Sequence, residues 1–322
     1  MDLSLFFAGT GGSVPSARRG LPALLIRRGG DRILIDCGEG TQRQLVRSVG
    51  LLDLTDVFIT HMHADHWLGL PGMLKSFELR DRERPLTIHG PQGIAALLER
   101  VRPVFGRPRY GLTIAELEPD EVVGRDGFDI APFAVRHRGN SLGYALVEHA
   151  RPGRFDAELA ERLGVEPGPD FGRLQRGETV AGVHPDQVVG EERRGRKVVV
   201  TGDTAPTDAV VVAAHRADVL VHEATFAHED LDRAKQTLHS TAQQAAQIAA
   251  DAEVNLLALT HLSSRYNGRE IRDEARAGFS NTVVPRDFDT IDLPLPERGE
   301  PELVRWEGGA PREPARPLES SA

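Results

Sequence analysis

The sequence predicts an α/β protein built as a four-layer αββα sandwich with a protruding arm, and three observations lead to this fold class. Short apolar runs typical of buried strands recur along the chain between stretches of helical periodicity. A weak internal repeat relates residues 33–36 and 58–61 to residues 199–203 and 258–261, and two related β-rich halves would pack sheet on sheet with helices outside. Several predicted strands also end on residues of metal-ligand type, which favours a site at one edge of the sheets.

The composition is that of a soluble globular protein. Its 322 residues are 40% hydrophobic, which is enough for a substantial core. The single cysteine, Cys37, excludes a disulfide framework and a thiolate zinc site. No apolar run approaches a membrane-spanning length and no basic leader is visible, so we expect a cytoplasmic protein with no membrane partner. The net charge of −9 argues against unspecific adhesion to nucleic acid but leaves room for a local basic surface.

Glycine and proline mark where the predicted strands and helices of the first half end. The glycine-rich turn at residues 9–15 could cradle a phosphate with its amides, but a plain connection between strands fits it equally well. Helices are expected after the glycines at residue 40, from Pro71 to about residue 80, and over residues 93–101. His89 precedes a turn without a ligand partner nearby, which favours a structural role. Strands are predicted at residues 3–8, 21–27, 31–35, 57–59 and 86–91.

A cluster of histidines directly follows the apolar run at residues 57–59. His61, His63 and Asp65 share a parity, so their side chains converge on one side of an extended or tightly looped backbone, while His66 can turn toward a second position. Neutral imidazole suits zinc, and a carboxylate adds an oxygen ligand and offsets the charge of the ion. A merely solvated loop would leave four ligand-type residues behind a buried strand without a purpose. The spacing therefore indicates a site for two metal ions.

Four later strands also end on residues that could bind a metal ion or move a proton. Because open α/β sheets place their sites at the carboxyl ends of strands, this agreement is geometric as well as compositional. These strands, at residues 128–137, 198–201, 219–221 and 256–260, lead to His137, Asp203, the pair His222 and Glu223, and His261.

One more histidine stands just before a helix predicted at residues 242–252. Ser240 and Gln243 are in capping-box relation, so the helix is expected to begin there. His239 should therefore lie at a helix N-terminus and face any anion bound there.

Residues 151–195 interrupt this pattern with many prolines and glycines and are predicted to form an inserted, flexible arm with a short helix at residues 157–163. We expect one domain over residues 1–293 that carries this arm. Residues 294–322, rich in Pro, Glu, Gly and Arg, are predicted to be a disordered tail after a last strand near residues 288–293. A solvated charge distribution is an equally good interpretation of the basic residues in and after the arm, which are Arg173, Arg176, Arg193, Arg194, Arg196 and Lys197.

The order and spacing of these motifs resemble those of a known family. In chain order they are Gly9-Thr10-Gly11-Gly12, the stretch at 36–44, His-x-His-x-Asp-His at 61–66, His137, Gly202-Asp203-Thr204, His222-Glu223-Ala224-Thr225-Phe226, His239-Ser240-Thr241 and His261-Leu262-Ser263-Ser264-Arg265-Tyr266. Together they resemble the metallo-β-lactamase superfamily and, more narrowly, its ribonuclease Z family of tRNA 3'-end endonucleases. The similarity extends over residues 5–291 and includes the arm.

The resemblance implies two zinc ions and assigns a role to each conspicuous side chain. Asp203 would bridge the ions, Asp65 would also orient a water molecule or accept its proton, and Asp36 would hold a ligand histidine. His239 would donate a proton to the leaving oxygen, and His222 and Glu223 would orient the His239 ring. The alternative for His222 and Glu223 is a structural role, as a buried pair at the end of a strand with local hydrogen bonds. The implied ligands are His61, His63 and His137 for one ion and Asp65, His66 and His261 for the other, with Ser263 and Arg265 gripping a phosphate.

The same resemblance implies removal of the 3' trailer from precursor tRNA, with a 3'-hydroxyl left on the tRNA. The arm would grip the folded tRNA away from the cut, across a homodimer. Two departures from the family pattern are Gly20, where an asparagine is usual, and Leu262, where an aromatic residue is frequent. A small-molecule phosphodiesterase or other dinuclear hydrolase of the same fold is one alternative. A non-catalytic carrier of this fold is another.

Overall fold

The computed structural model describes residues 1–51 and 53–308. The strands are β1 (Leu3–Gly9), β2 (Ala23–Arg28), β3 (Asp31–Ile35), β4 (Asp56–Phe58), β5 (Leu86–Pro91), β6 (Leu112–Leu117), β7 (Val123–Arg125), β8 (Phe128–Ala134), β9 (Leu142–Glu148), β10 (Lys197–Val200), β11 (Val219–Glu223), β12 (Leu256–Thr260), β13 (Thr282–Val283), β14 (Thr290–Asp292) and β15 (Glu302–Val304). The helices are α1 (Thr41–Arg47), α2 (Ala64–Trp67), α3 (Leu70–Leu79), α4 (Ile94–Phe105), α5 (Ala157–Arg162), α6 (Pro169–Gln175), α7 (Pro185–Val188), α8 (Asp208–Ala214), α9 (Leu231–Thr237), α10 (Ala242–Asp251) and α11 (Gly268–Gly278), with a 3-10 turn at His228–Asp230.

Two sheets form the centre of the molecule. The first has eight strands in the order β15-β14-β1-β2-β3-β4-β5-β6, and the second has seven in the order β13-β12-β11-β10-β9-β8-β7. Strands β3 to β6 are parallel neighbours, as are β10 to β13, while β8 returns to the direction of β10 through two antiparallel pairings. The carboxyl ends of β3 and β4, and of β8, β10, β11 and β12, therefore lie along a common edge in each sheet. No helix in the described part of the chain has the length and apolar character needed to cross a membrane.

Side-chain alternation along the strands explains why the two sheets are covered on both faces. In β1, Leu5 and Phe7 belong to the core between the sheets, whereas Phe6 and Ala8 pack under the helices of the first sheet. In the second sheet, Val198 and Val200 of β10 face the first sheet while Val199 packs under helices. Burial on both faces accounts for strands that are apolar throughout. The predicted αββα sandwich is confirmed.

Several elements were not anticipated from the sequence. The sequence patterns did not predict strands β6, β7, β9 and β13 or helices α2, α8, α9 and α11. The N-terminal cap of α10 lies one residue later than predicted. Thr241 accepts a hydrogen bond from the Gln244 amide while the Gln244 side chain accepts one from the Thr241 amide, so these two residues, not Ser240 and Gln243, form the capping box.

The arm is a small helical unit with a core of its own. Its helix α5 confirms the predicted short helix, but α6 and α7 were missed because Pro169 and Pro185 were interpreted only as breaks. Both prolines stand in the first turn of a helix, where no amide donor is needed. The buried residues of the arm core are Ala160, Val165, Leu174, Val180, Val183 and Val188.

The C-terminal segment is more ordered than predicted. Residues 302–304 form β15, which pairs antiparallel with β14, so the predicted disorder is wrong there. The Trp306 amide donates a hydrogen bond to the Asp289 carboxylate at 2.9 Å, and the Trp306 ring packs edge-on against Phe288. Residues 309–322 of the predicted tail lie outside the described residues.

Candidate metal centre

The first set of candidate ligands comes from both sheets. His61 and His63 follow β4, His137 follows β8 and Asp203 follows β10. Nε2 of His61 lies 3.0 Å from Nδ1 of His63, and Nε2 of His137 lies 3.2 Å from the same atom. Oδ2 of Asp203 is 3.7 Å from Nε2 of His61 and 3.9 Å from Nε2 of His137. Three imidazole nitrogens and one carboxylate oxygen thus surround one point.

The second set lies beside the first and shares Asp203 with it. Nε2 of His261 is 3.3 Å from Oδ2 of Asp65 and 3.3 Å from Oδ1 of Asp203. Nε2 of His66 is 3.7 Å and 3.4 Å from the same two oxygens. The two carboxylate oxygens of Asp203 therefore face different sets, which is the arrangement expected of a bridging ligand.

These residues fit divalent cations. Ligand atoms about 2.0–2.1 Å from a tetrahedral zinc ion lie about 3.3–3.4 Å apart, close to the separations found here. Nε2 of His66 and Oδ1 of Asp203 are buried and make no hydrogen bond within the described part of the chain. Such buried polar atoms cost about 1–3 kcal/mol each when left without a partner. A donor set of imidazole and carboxylate suits zinc and related ions.

Hydrogen bonds from Nδ1 fix the ring orientation of His61 and His66, two of the three candidate ligand histidines that follow β4. Nδ1 of His66 donates to Oδ2 of Asp36 at 2.7 Å. Nδ1 of His61 donates to the hydroxyl of Thr60 at 3.1 Å, and this hydroxyl in turn donates to the Asp36 carboxylate. In both histidines Nε2 is left with its lone pair toward the centre. The structure thus brings Asp36 to the position predicted for it.

The ligand histidines that follow β8 and β12 are held in the same way. Nδ1 of His137 donates to the carbonyl oxygen of Leu238 at 2.8 Å. Nδ1 of His261 donates to the hydroxyl of Thr225 at 2.8 Å, and this hydroxyl donates to Oε2 of Glu223 at 2.6 Å. Sequence reasoning missed the positions of Leu238 and Thr225, although Thr225 stands two residues after Glu223 in a motif that was recognised.

The glycine-rich turn at residues 9–15 contacts two candidate ligands, Asp65 and His261. The Ser13 amide donates to Oδ2 of Asp65 at 2.8 Å. A Cβ on Gly12 would lie 2.5 Å from the ring of His261, so only glycine lets the turn approach this closely. Asp287 holds the turn by accepting hydrogen bonds from the Thr10 amide and hydroxyl. The turn therefore positions two candidate ligands.

His239 forms an acid–base pair with Glu223 next to these ligands. Nδ1 of His239 lies 2.7 Å from Oε1 of the fully buried Glu223 and 3.8 Å from Oδ2 of Asp203. Burial of the ring opposes its charge, but the carboxylate of Glu223 and its hydrogen bond prevail and raise the pKa of His239 to about 9. A protonated His239 is therefore stabilised at neutral pH. As predicted, His239 lies just before α10.

The structure brings Glu223, but not His222, to His239. His222 shares its parity in β11 with Leu220, which packs under the helices of the second sheet. Nδ1 of His222 donates to the carbonyl oxygen of Glu223 at 2.7 Å, and burial lowers the pKa of this imidazole. These contacts match the alternative of a strand-end residue with local hydrogen bonds.

Ser263 and Arg265 lie in the loop after β12. The Arg265 guanidinium is half-exposed and lies 3.4 Å from the carboxylate of Asp230. The Arg265 amide donates to the hydroxyl of Ser263 at 3.4 Å. Their predicted contact with a phosphate stays a prediction.

Comparisons with known proteins identify the family of this chain. The profile of the metallo-beta-lactamase superfamily matches residues 20–261. Ribonuclease Z from Natronomonas pharaonis is 47% identical over 307 residues, which cover 92% of this chain and 100% of the relative. Ribonuclease Z from Haloferax volcanii is 48% identical over 304 residues, covering 91% of this chain and 96% of the relative.

A solved structure of the short form of human tRNase Z superposes with a TM-score of 0.66 at 28% identity, over 91% of this chain and 99% of that one. The family predicted from the motifs is confirmed. This chain belongs to the ribonuclease Z family of the metallo-beta-lactamase superfamily.

Proposed function

We propose that this chain is a zinc-dependent endoribonuclease that removes the 3' trailer from precursor tRNA, leaves a 3'-hydroxyl on the tRNA and acts as a cytoplasmic homodimer. The observation that carries the proposal is the position of Asp203 between two ligand sets, with the Glu223–His239 pair beside it. Curated relatives that match over most of this chain are named Ribonuclease Z, which supports the choice of substrate.

Two zinc ions are the cofactors we propose. One would be held by His61, His63 and His137, the other by Asp65, His66 and His261, with Asp203 between them. When bound, such cations act as Lewis acids: they would polarise the phosphodiester and lower the pKa of a water molecule, so that hydroxide can form and attack phosphorus.

Asp65 would orient the attacking water. The Ser13 amide and the imidazole of His261 both approach its Oδ2, at 2.8 Å and 3.3 Å. Burial would raise the pKa of this carboxyl, but the imidazoles of His261 and His66 beside it outweigh burial and hold the pKa well below its usual range. An ionised Asp65 can accept a hydrogen bond from water and receive its proton.

His239 would complete the cleavage as the proton donor. Because Nδ1 is occupied by Glu223, Nε2 is the nitrogen free to give a proton to the leaving 3'-oxygen of the tRNA. The P–O3' bond then breaks, the tRNA keeps a 3'-hydroxyl and the trailer keeps the phosphate. Glu223 stays ionised and stabilises the imidazolium before transfer.

We propose that the arm binds the RNA and that one exposed helical surface binds a second copy of the chain. Arg173 and Arg176 are exposed on the arm and could contact RNA phosphates, although Glu178 offsets part of their charge. Val46 and Leu68 are exposed beside a groove lined by residues of α1 and α3, which is where we place the contact between two copies.

The decisive experiment incubates the purified, zinc-loaded protein with a 3'-extended tRNA transcript and maps the cut and its end groups. The proposal expects cleavage just after the discriminator nucleotide with a 3'-hydroxyl on the tRNA. A protein that hydrolyses a small phosphodiester but leaves this transcript intact would contradict it and favour a small-molecule phosphodiesterase.

A further inference from the structure

The arm joins the domain through a narrow base, which we define as residues 151–155 and 189–193. The Arg151 amide donates to the Arg193 carbonyl at 2.8 Å, and the Arg193 amide donates to the Arg151 carbonyl at 2.8 Å. A second bridge pairs Phe155 with Val189. The arm helices pack on one another around the separate arm core. A small rotation at the base would therefore move the whole arm as one unit relative to the domain.

A side chain from outside the arm contacts both segments of the base. Glu297 lies in the C-terminal segment between β14 and β15. Its two oxygens accept hydrogen bonds from Nη1 and Nη2 of Arg151 at 2.9 Å and 3.0 Å. Nη1 of Arg193 donates to Oε1 of the same carboxylate at 3.0 Å. One carboxylate thus ties the outgoing and the returning segment of the arm to the domain.

The charges make this arrangement depend on Glu297. Arg151 and Arg193 are neighbours across the base, so their guanidinium groups would repel each other without a counter-charge. The hydrogen bonds from Arg151 lower the pKa of Glu297 to about 2, which keeps the carboxylate ionised. Single exposed ion pairs contribute little to stability, but a bidentate arginine–carboxylate contact within a network fixes the relative positions of its groups more firmly.

We propose that Glu297 is a positioning residue for the substrate. By holding both segments of the base it sets the angle between arm and domain, and with it the distance from RNA gripped by the arm to the metal centre. This inference rests on the proposed function and deepens it, because it makes the C-terminal segment part of substrate recognition.

The test compares Glu297→Gln with Glu300→Gln, a matched control in the same segment, because the Glu300 side chain contacts Asn255 and neither segment of the arm base. The zinc-loaded, full-length proteins are assayed on a 3'-extended tRNA transcript and on bis(p-nitrophenyl) phosphate. Hydrogen exchange at the Arg151 and Arg193 amides reports directly on the base. For Glu297→Gln we expect KM for the transcript to rise about fivefold while kcat stays within about twofold. Hydrolysis of the small diester should be unchanged and both amides should exchange faster.

An unchanged KM for the transcript would overturn the inference, as would equal losses on both substrates, since these would indicate general damage. Unchanged exchange at the two amides would overturn the contact on which it depends. If the wild type hydrolyses the small diester but not the transcript, the proposed function fails and the substrate role of Glu297 fails with it. The exchange rates then still decide whether Glu297 holds the arm base.

Discussion

The carbonyl oxygen of Leu238 accepts a hydrogen bond from Nδ1 of His137 at 2.8 Å, and the next residue in the chain is His239. Leu238 ends α9 in the left-handed conformation, with φ 59° and ψ 45°. This conformation is costly for a leucine, and here it turns one carbonyl toward a candidate ligand while directing His239 into the site. One backbone position thus orients both the candidate ligand His137 and the proposed proton donor His239.

We predict that Leu238→Val lowers kcat about 10-fold or more, because a β-branched residue resists the left-handed conformation and would displace the carbonyl that holds His137. Leu238→Asn is the matched control, since asparagine tolerates this conformation and should retain most activity. Steady-state kinetics on a tRNA transcript, with bound metal measured for each variant, makes the comparison. Equal activity of the two variants would contradict this role for the backbone.

The hydroxyl of Thr225 should matter more than its methyl group. It accepts from Nδ1 of His261 and donates to Glu223, so Thr225→Val leaves two buried polar groups without this partner. We expect Thr225→Val to weaken metal binding about 10–100-fold and Thr225→Ser to restore most of it. Titration with a competing chelator measures the affinities. Similar affinities for the two variants would argue against the hydroxyl.

The raised pKa of His239 gives a pH prediction with a definite sign. In the metal-free protein its imidazole should titrate near pH 9, and Glu223→Gln should move the midpoint down. Because the folded-state pKa exceeds the ordinary value of about 6.5, the ion pair stabilises the fold below that pH and loses its effect as the pH rises toward 9. NMR titration of the ring follows the midpoint directly, and a midpoint below 7 would contradict the pairing.

A buried ion network at the edge opposite the ligands should control acid stability. Glu148 lies 2.8 Å from Nε of Arg28 and 2.7 Å from Nε of Arg196. Burial would raise the pKa of Glu148, but the two arginines lower it to about 2. Its contribution to stability is therefore complete above about pH 4.5 and is lost as the pH falls toward 2.

We expect Glu148→Gln to reduce the free energy of unfolding by about 3–5 kcal/mol at pH 7, because two buried guanidinium groups lose their counter-charge. Urea unfolding at pH 7 and at pH 3 checks this, and the gap between variant and wild type should narrow at the lower pH. Asp31→Asn is a control, because Asp31 is a more exposed partner of Arg28 at 3.9 Å.

Removal of the arm should separate RNA recognition from chemistry. Replacing residues 155–189 with a short Gly-Ser linker leaves the metal ligands in place. We expect cleavage of a tRNA precursor to fall at least 100-fold while hydrolysis of a small phosphodiester persists, since most of the binding surface for a folded RNA would be lost. Undiminished cleavage of the precursor would show that the arm is not the RNA-binding site.

The sandwich and the ligand sets could be anticipated because they depend on short local patterns. The apolar run before His61 to His66 predicts a strand, and the histidines predict a site at its end. In the same way, the apolar run of β10 predicts a strand that ends close to Asp203. Contacts made through the backbone carry no such signal: nothing in the identity of Leu238 shows that its carbonyl faces His137. Strand β9 was missed although it carries Tyr144, whose hydroxyl donates to the Ile59 carbonyl across the two sheets. Such pairings appear only once the sheets are stacked.

The place of β1 in its sheet has a consequence for biosynthesis. β1 lies between β2 and β14, so the pairing of β1 in its sheet is complete only after β14, far later in the chain, has been synthesised. His61 and His63 emerge long before Asp203 and His261 do. A nascent chain therefore carries only part of the candidate ligand sets until Asp203 and His261 have been synthesised, and we expect ion loading to follow their synthesis. Such late, long-range pairing also favours slow folding. Metal ions must therefore be available to the protein late in folding, after the two sheets have formed.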